Sequence, residues 1–93
     1  MRIEITKQAI RDLEKLPDRL AEKFDLWLSA IAQMELRKVR IHPGLHDEPL
    51  QGQRFGQRSV RLNRSYRVIY KIKKETAFTE EILIVIEITK HQY

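Results

Sequence analysis

The sequence predicts an α+β fold, a helical hairpin packed on one face of a small, mainly antiparallel twisted sheet, in the order β-α-α-β-β-β. Three observations predict it. Apolar residues recur every three or four positions through residues 7–38, they alternate with polar ones in three later segments, and a stretch bearing proline and glycine separates the two regimes. The 93 residues form a single domain, residues 1–93, because one core serves chains of about 50–200 residues. With 42% apolar and 33% charged residues, the composition excludes disordered and fibrous classes.

Residues 1–5 alternate and read as a short strand. Thr6 is placed to cap a helix over residues 7–16, where Ala9, Ile10, Leu13 and Leu16 form one apolar stripe. Pro17 ends it, because the residue before a proline is pushed out of the α region, and also suits the first turn of a second helix. That helix covers residues 18–38, with Leu20, Phe24, Trp27, Leu28 and Ile31 at helical spacing, which makes Trp27 a core residue. Residues 40–52, RIHPGLHDEPLQG, hold two of the three prolines and two of the three glycines and read as a loop. Polar groups on such a loop are free to act chemically. Residues 58–62, 66–72 and 81–90 alternate and are expected as strands.

Parity fixes the hairpin between the first two of these strands. For Val60 and Leu62 to share the helix side with Tyr66, Val68 and Tyr70, residue 62 must oppose residue 66 across a turn at Asn63, Arg64 and Ser65. Arg61 then opposes Arg67 on the face away from the helices, at the ~4.5–5.5 Å Cβ separation of a cross-strand pair, where like charges destabilise. Two converging guanidiniums suit a phosphate, and an acid such as Glu87 is the alternative partner. In the last strand Ile82, Ile84, Ile86 and Ile88 form one face, predicted to bury against the helices, and Leu83, Val85, Glu87 and Thr89 the other. Continuing the alternation turns His91 and Tyr93 toward the arginine pair.

The net charge of +5 is concentrated. Residues 49–74 carry Arg54, Arg58, Arg61, Arg64, Arg67, Lys71, Lys73 and Lys74 and no acid. Such a block suits a polyanion, either nucleic acid or an acidic protein segment, and otherwise forms a solvated basic face. The absence of cysteine excludes disulfides, thiolate metal sites and cysteine nucleophiles, and is compatible with the cytoplasm. The longest apolar run, residues 82–86, is far below the ~18–20 residues that span a bilayer, and no signal-peptide h-region is visible, so no membrane partner is expected.

A phosphodiester can be cut without metal if its own 2′-hydroxyl attacks, given a general base, a cationic clamp and a general acid. Glu48, the pair Arg61 and Arg67, and His91 supply these, histidine suiting the last role because its ordinary pKa is about 6.5. Phe55, in a basic stretch flanked by glycine, can stack on an unpaired base. His42, His46, Asp47 and Glu48 crowd one loop, but two ligands at His42-x3-His46 need a helix that Pro43 and Gly44 oppose, so no metal and no cofactor is expected.

The stretch EPLQGQRFGQRSVRLNRSYRVIYKI, residues 48–72, resembles the central segment of RelE/ParE-superfamily toxins of bacterial toxin–antitoxin pairs, in particular the RelE/StbE and YoeB-like branch. There an E-P-L-x-G motif precedes a basic hairpin ending R-x-x-Y, and the ending KHQY resembles the branch's His/Tyr tail. The resemblance implies a RelE-like fold and a ribosome-dependent mRNA endonuclease that cuts A-site codons by metal-free 2′-hydroxyl attack. Its implied partners are a cognate protein antitoxin, the ribosome and mRNA. It carries the base to Glu48, the phosphate-binding arginines to Arg61 and Arg67, and the terminal aromatic to Tyr93. Arg54, Phe55, Arg58, Arg64, Lys71, Lys73, Lys74 and Lys90 are the expected RNA-binding set. One departure stands out, since Gln92 occupies the branch's histidine position and His91 lies one residue earlier. His46, two residues from Glu48, is a substitute acid or base. A gyrase-inhibiting toxin of the same fold without nuclease activity, or an inactive antitoxin-binding homologue, are the alternative functions.

Overall fold

A computed structural model describes residues 1–90. The chain runs β1 (Arg2–Ile5), α1 (Lys7–Glu14), α2 (Asp18–Gln33), α3 (Leu36–Arg40), β2 (Glu48–Pro49), β3 (Gln57–Arg61), β4 (Tyr66–Lys73) and β5 (Ile82–Lys90). Five strands form one sheet in the order β1-β5-β4-β3-β2, with β1 parallel to β5 and the other pairs antiparallel. The expected α+β class and helical hairpin are present, with two additions. Residues within the expected loop 40–52 supply an edge strand, β2, and the second helix stops at Gln33 rather than continuing to residue 38. At 1.5 Å per residue α2 is already about 24 Å long. The break at Met34 and Glu35 redirects the chain, and Leu36 and Val39 of α3 return to the core.

Local chemistry accounts for the element ends. The Thr6 side chain accepts a hydrogen bond from the Ala9 N–H at 3.1 Å, capping α1, and its hydroxyl donates to the Ile86 carbonyl of β5. Pro17 stands at the N-cap of α2, where its missing N–H costs nothing. Between the helices and the sheet lie Ala9, Leu20, Phe24, Trp27, Ile31, Val60, Leu62, Val68, Tyr70, Leu83 and Val85. The Trp27 ring packs against Phe24 and Tyr70 with centroids 6.0 and 5.4 Å away.

The β3–β4 register agrees with parity. Arg61 pairs with Arg67, Val60 with Val68, and the Leu62 N–H donates to the Tyr66 carbonyl at 2.9 Å. Asn63 Oδ1 holds the turn by accepting from the N–H groups of Ser65 and Tyr66, both at 2.8 Å.

The face assignment of β5 is corrected. Opposite Tyr70 stands Val85, whereas opposite Ile69 stands Glu87, so Ile86 is a β-bulge. Before the bulge Leu83 and Val85 face the helices, and after it Ile88 does. The isoleucines therefore do not form a single buried face. Asp12 of α1 accepts from the Ile88 N–H at 2.9 Å, tying helix to strand just beyond the irregularity. The bulge leaves Glu87 and Thr89 on the open face, in register with Ile69 and Arg67. No described helix is long and apolar enough to cross a membrane.

Candidate active site

On the open face of the sheet, Glu48, Ser59, Ile69 and Glu87 are successive register partners across β2, β3, β4 and β5. At ~4.8 Å per strand the two carboxylate-bearing Cα atoms stand about 14 Å apart. They wall a cleft of about 340 Å³ lined by Glu48, Leu50, Arg54, Ser59, Arg67, Ile69, Glu87, Thr89 and Lys90. The next register row carries Arg61, Arg67 and Thr89.

Three buried polar atoms at or beside the cleft floor have no hydrogen-bond partner among the described residues: Ser59 Oγ, Arg61 Nε and Arg67 Nη1. Buried polar atoms are normally satisfied, so these three mark unspent hydrogen-bonding capacity on this face of the sheet. Glu87 does not neutralise the arginine pair. It binds Arg54 instead, with Nη2 2.8 Å from Oε1, while Arg54 Nη1 donates to Gln57 Oε1 at 2.9 Å. Arg54 thus reaches across the cleft from the loop before β3, where Gly52 and Gly56 hold φ of +65° and +95°.

Glu48 is exposed at the edge, and Asp47 before it turns the opposite way. The Asp47 side chain is 1% exposed and accepts from Arg58 Nε and from the Tyr70 hydroxyl, both at 2.6 Å. Arg40 Nε of α3 donates to the Tyr70 oxygen at 3.0 Å. Burial alone would lower the Arg58 pKa, but the hydrogen bond and charge of Asp47 outweigh it and hold the guanidinium above its ordinary value. The Tyr70 phenol is pushed up to about 12, first by burial and then by its bond to Asp47, with Arg40 pulling down. Because the folded value is raised, the neutral phenol stabilises the fold fully below pH ~10 and that contribution is lost as pH rises toward 12, on the order of 2 kcal/mol. Alkaline melting curves should fall across this range for the native chain and more gently for Tyr70→Phe. Equal slopes would assign the loss to other groups.

The structure sorts the expected site residues. Glu48, Arg67, Arg54 and Lys90 line the cleft, with Arg61 in register beside Arg67. Lys71 and Lys73 are exposed on β4, Lys74 follows that strand, Arg64 is exposed in the hairpin turn, and Phe55 is 83% exposed. Arg58 is corrected, since it lies on the helix side opposite Tyr70 and is committed to Asp47. His46 is exposed, holds φ of +45° and does not line the cleft. His91 and Tyr93 lie outside the described residues. Ser59 and Glu87 line the cleft and Asp47 lies buried behind its edge, and none of the three belongs to the expected catalytic or RNA-binding set. Ser59 is legible as the open-face neighbour of Arg61, two residues away on β3. Among the described residues no three His, Cys, Asp or Glu side chains gather at metal-binding distance.

Comparison with known proteins bears on this architecture. The family described as ParE toxin of type II toxin-antitoxin system, parDE, matches residues 3–92. A YoeB/ParE toxin from Agrobacterium tumefaciens superposes with a TM-score of 0.74 at 26% identity, covering 99% of this chain and 100% of that one. YafQ from E. coli gives 0.73 at 20% identity, covering 97% and 93%. The toxin–antitoxin complex RelBE2 from Mycobacterium tuberculosis gives 0.62 at 23% identity, covering 97% and 96%. No curated protein sequence matches. A family match running from β1 through β5, on a five-stranded α+β fold shared with these toxins, shows that the chain belongs to the ParE toxin family of type II toxin–antitoxin systems, within the RelE/ParE superfamily.

Proposed function

We propose that this toxin is an endoribonuclease, a ribosome-dependent mRNA interferase that cuts A-site codons by metal-independent 2′-hydroxyl attack. The observation that carries the reading is that the half-buried Arg61 and Arg67, direct register partners, each hold one buried nitrogen, Nε and Nη1, without a partner among the described residues, on the sheet face that also carries the exposed Glu48. In this mechanism Glu48 takes the proton of the 2′-hydroxyl as its oxygen bonds to phosphorus. Arg61 and Arg67 stabilise the charge that develops on the phosphoryl oxygens. The 5′-oxygen leaves with a proton from the general acid, yielding a 2′,3′-cyclic phosphate and a 5′-hydroxyl. His91 is the proposed acid, with His46 the substitute, and Tyr93 the terminal aromatic beside the substrate.

Arg54, Lys71, Lys73, Lys74 and Lys90, with Arg64 and the exposed Phe55, form the proposed RNA-binding surface. A protein antitoxin is the proposed inhibitor, a reading supported by the toxin–antitoxin complex of the similar mycobacterial fold. The proposed compartment is the cytoplasm, where ribosomes work. Mapping 5′ ends of labelled mRNA in a translation mixture tests the reading, with a tube lacking ribosomes beside it. Cuts confined to the A-site codon are expected, and affinity for ribosome-bound mRNA should fall steeply with salt. The ParE description of the matched family favours a second reading, gyrase inhibition without nuclease chemistry. Intact mRNA from a folded, toxic chain that induces DNA-damage signals would select it. An inert chain that still binds antitoxin would be a non-catalytic homologue.

A further inference from the structure

We propose that Asp47 is a positioning residue, which aims the Glu48 carboxylate into the cleft from beneath the sheet; the inference rests on the nuclease reading of that cleft.

Glu48 has little of its own to hold it. It is exposed, and β2 is two residues long, with Pro49 unable to donate to the ladder. Beyond the two register pairs Glu48–Ser59 and Pro49–Arg58, the edge is closed by the Leu50 N–H donating to the Gln57 carbonyl at 2.9 Å. An edge this short opens readily unless side chains fix it. Asp47 is the residue that supplies such fixation. Both of its carboxylate oxygens are used, Oδ1 by Arg58 Nε and Oδ2 by the Tyr70 hydroxyl. Arg58 and Tyr70 are themselves register partners on β3 and β4, and Tyr70 is held in turn by Arg40 of α3.

The clamp therefore spans the edge, two interior strands and a helix. The chain enters it through His46 at φ +45°, a left-handed conformation that an L-residue keeps only where its surroundings fix it. From residue 46 to 49, Asp47 alone has a buried side chain. Alternation does the rest, because adjacent residues of an extended strand project to opposite faces. Fixing Asp47 below thereby fixes the direction of Glu48 above, as an outer layer of hydrogen bonds fixes a reacting group.

The test is Asp47→Asn, which keeps the shape and weakens both contacts. Amide exchange at Leu50 should speed at least tenfold while Ile69 and Val85 keep their protection. Single-turnover cleavage of ribosome-bound mRNA should slow by about 10–100-fold, with affinity for a 2′-O-methylated, uncleavable mRNA unchanged within about twofold. In a Glu48→Gln background the same substitution should cost no further rate, because it acts through Glu48. An equal loss in both backgrounds would make Asp47 merely structural and overturn the proposal, as would native exchange at Leu50. If the native chain cuts no RNA, the nuclease reading fails by itself, and Leu50 exchange alone decides whether Asp47 anchors the edge. Should Asp47→Asn not fold, Tyr70→Phe removes one of the two contacts and is measured in the same way.

Discussion

Arg67→Gln is expected to slow cleavage of ribosome-bound mRNA by about 10²–10³-fold, the cost of losing one preorganised donor at a developing charge, while the protein melts at a higher temperature. The two halves of this result have one cause. Arg67 and Arg61 are direct register partners, and like charges so placed destabilise a sheet by several tenths of a kcal/mol. Their buried donors find no partner among the described residues, so the protein holds a repulsion that, on the proposed mechanism, a bound phosphate would relieve. Glutamine keeps part of the stem and removes the charge. Arg67→Lys keeps the charge but loses the planar fork, and should recover only part of the rate. Single-turnover kinetics with a thermal melt would decide it: lower activity with a lower melting temperature would mean that Arg67 supports the fold, and full activity would remove it from the mechanism.

Glu48→Gln is expected to cost about 10²–10⁴ in the rate of bound RNA, the range for removing a general base. Folding stability should stay within about 0.5 kcal/mol, because the side chain is exposed at a sheet edge. Affinity for uncleavable mRNA should hold or rise, since one negative charge leaves the cleft in which the nuclease reading seats a phosphate. An unchanged rate, or a loss matched by weaker binding, would give Glu48 a different role.

Much of this was legible in the residues. The Arg61–Arg67 pairing followed from parity because Val60, Leu62, Val68 and Tyr70 left one way to bury a common face. The bulge at Ile86 was not legible, because β5 is apolar on both faces and its pattern carries no sign of which half faces the helices. The interruption at Met34 and Glu35 contains neither proline nor glycine, and Leu36 and Val39 extend the helical spacing through it. Asp47 reads locally as a loop acid beside Glu48, and only the three-dimensional meeting of Arg58 and Tyr70 beneath the sheet reveals it as buried. Arg58 misled for the complementary reason. Its charge belongs to a basic block, but its position opposite Tyr70 assigns it to the helix side.

The parallel neighbour of β5 has a kinetic meaning. Thr6 and Ile86, bonded at the end of β1, are 80 residues apart, and closing a loop that long costs about 4 kcal/mol of chain entropy before any contact returns it. The hairpin carrying Arg61 and Arg67 closes across a three-residue turn, and β4 to β5 across a short connection. Local pairings of this kind form early, and distant ones are limited by diffusion of the chain. The cleft is thus assembled from short-range hairpins, while the fold is sealed by a long-range strand on the far side of β5.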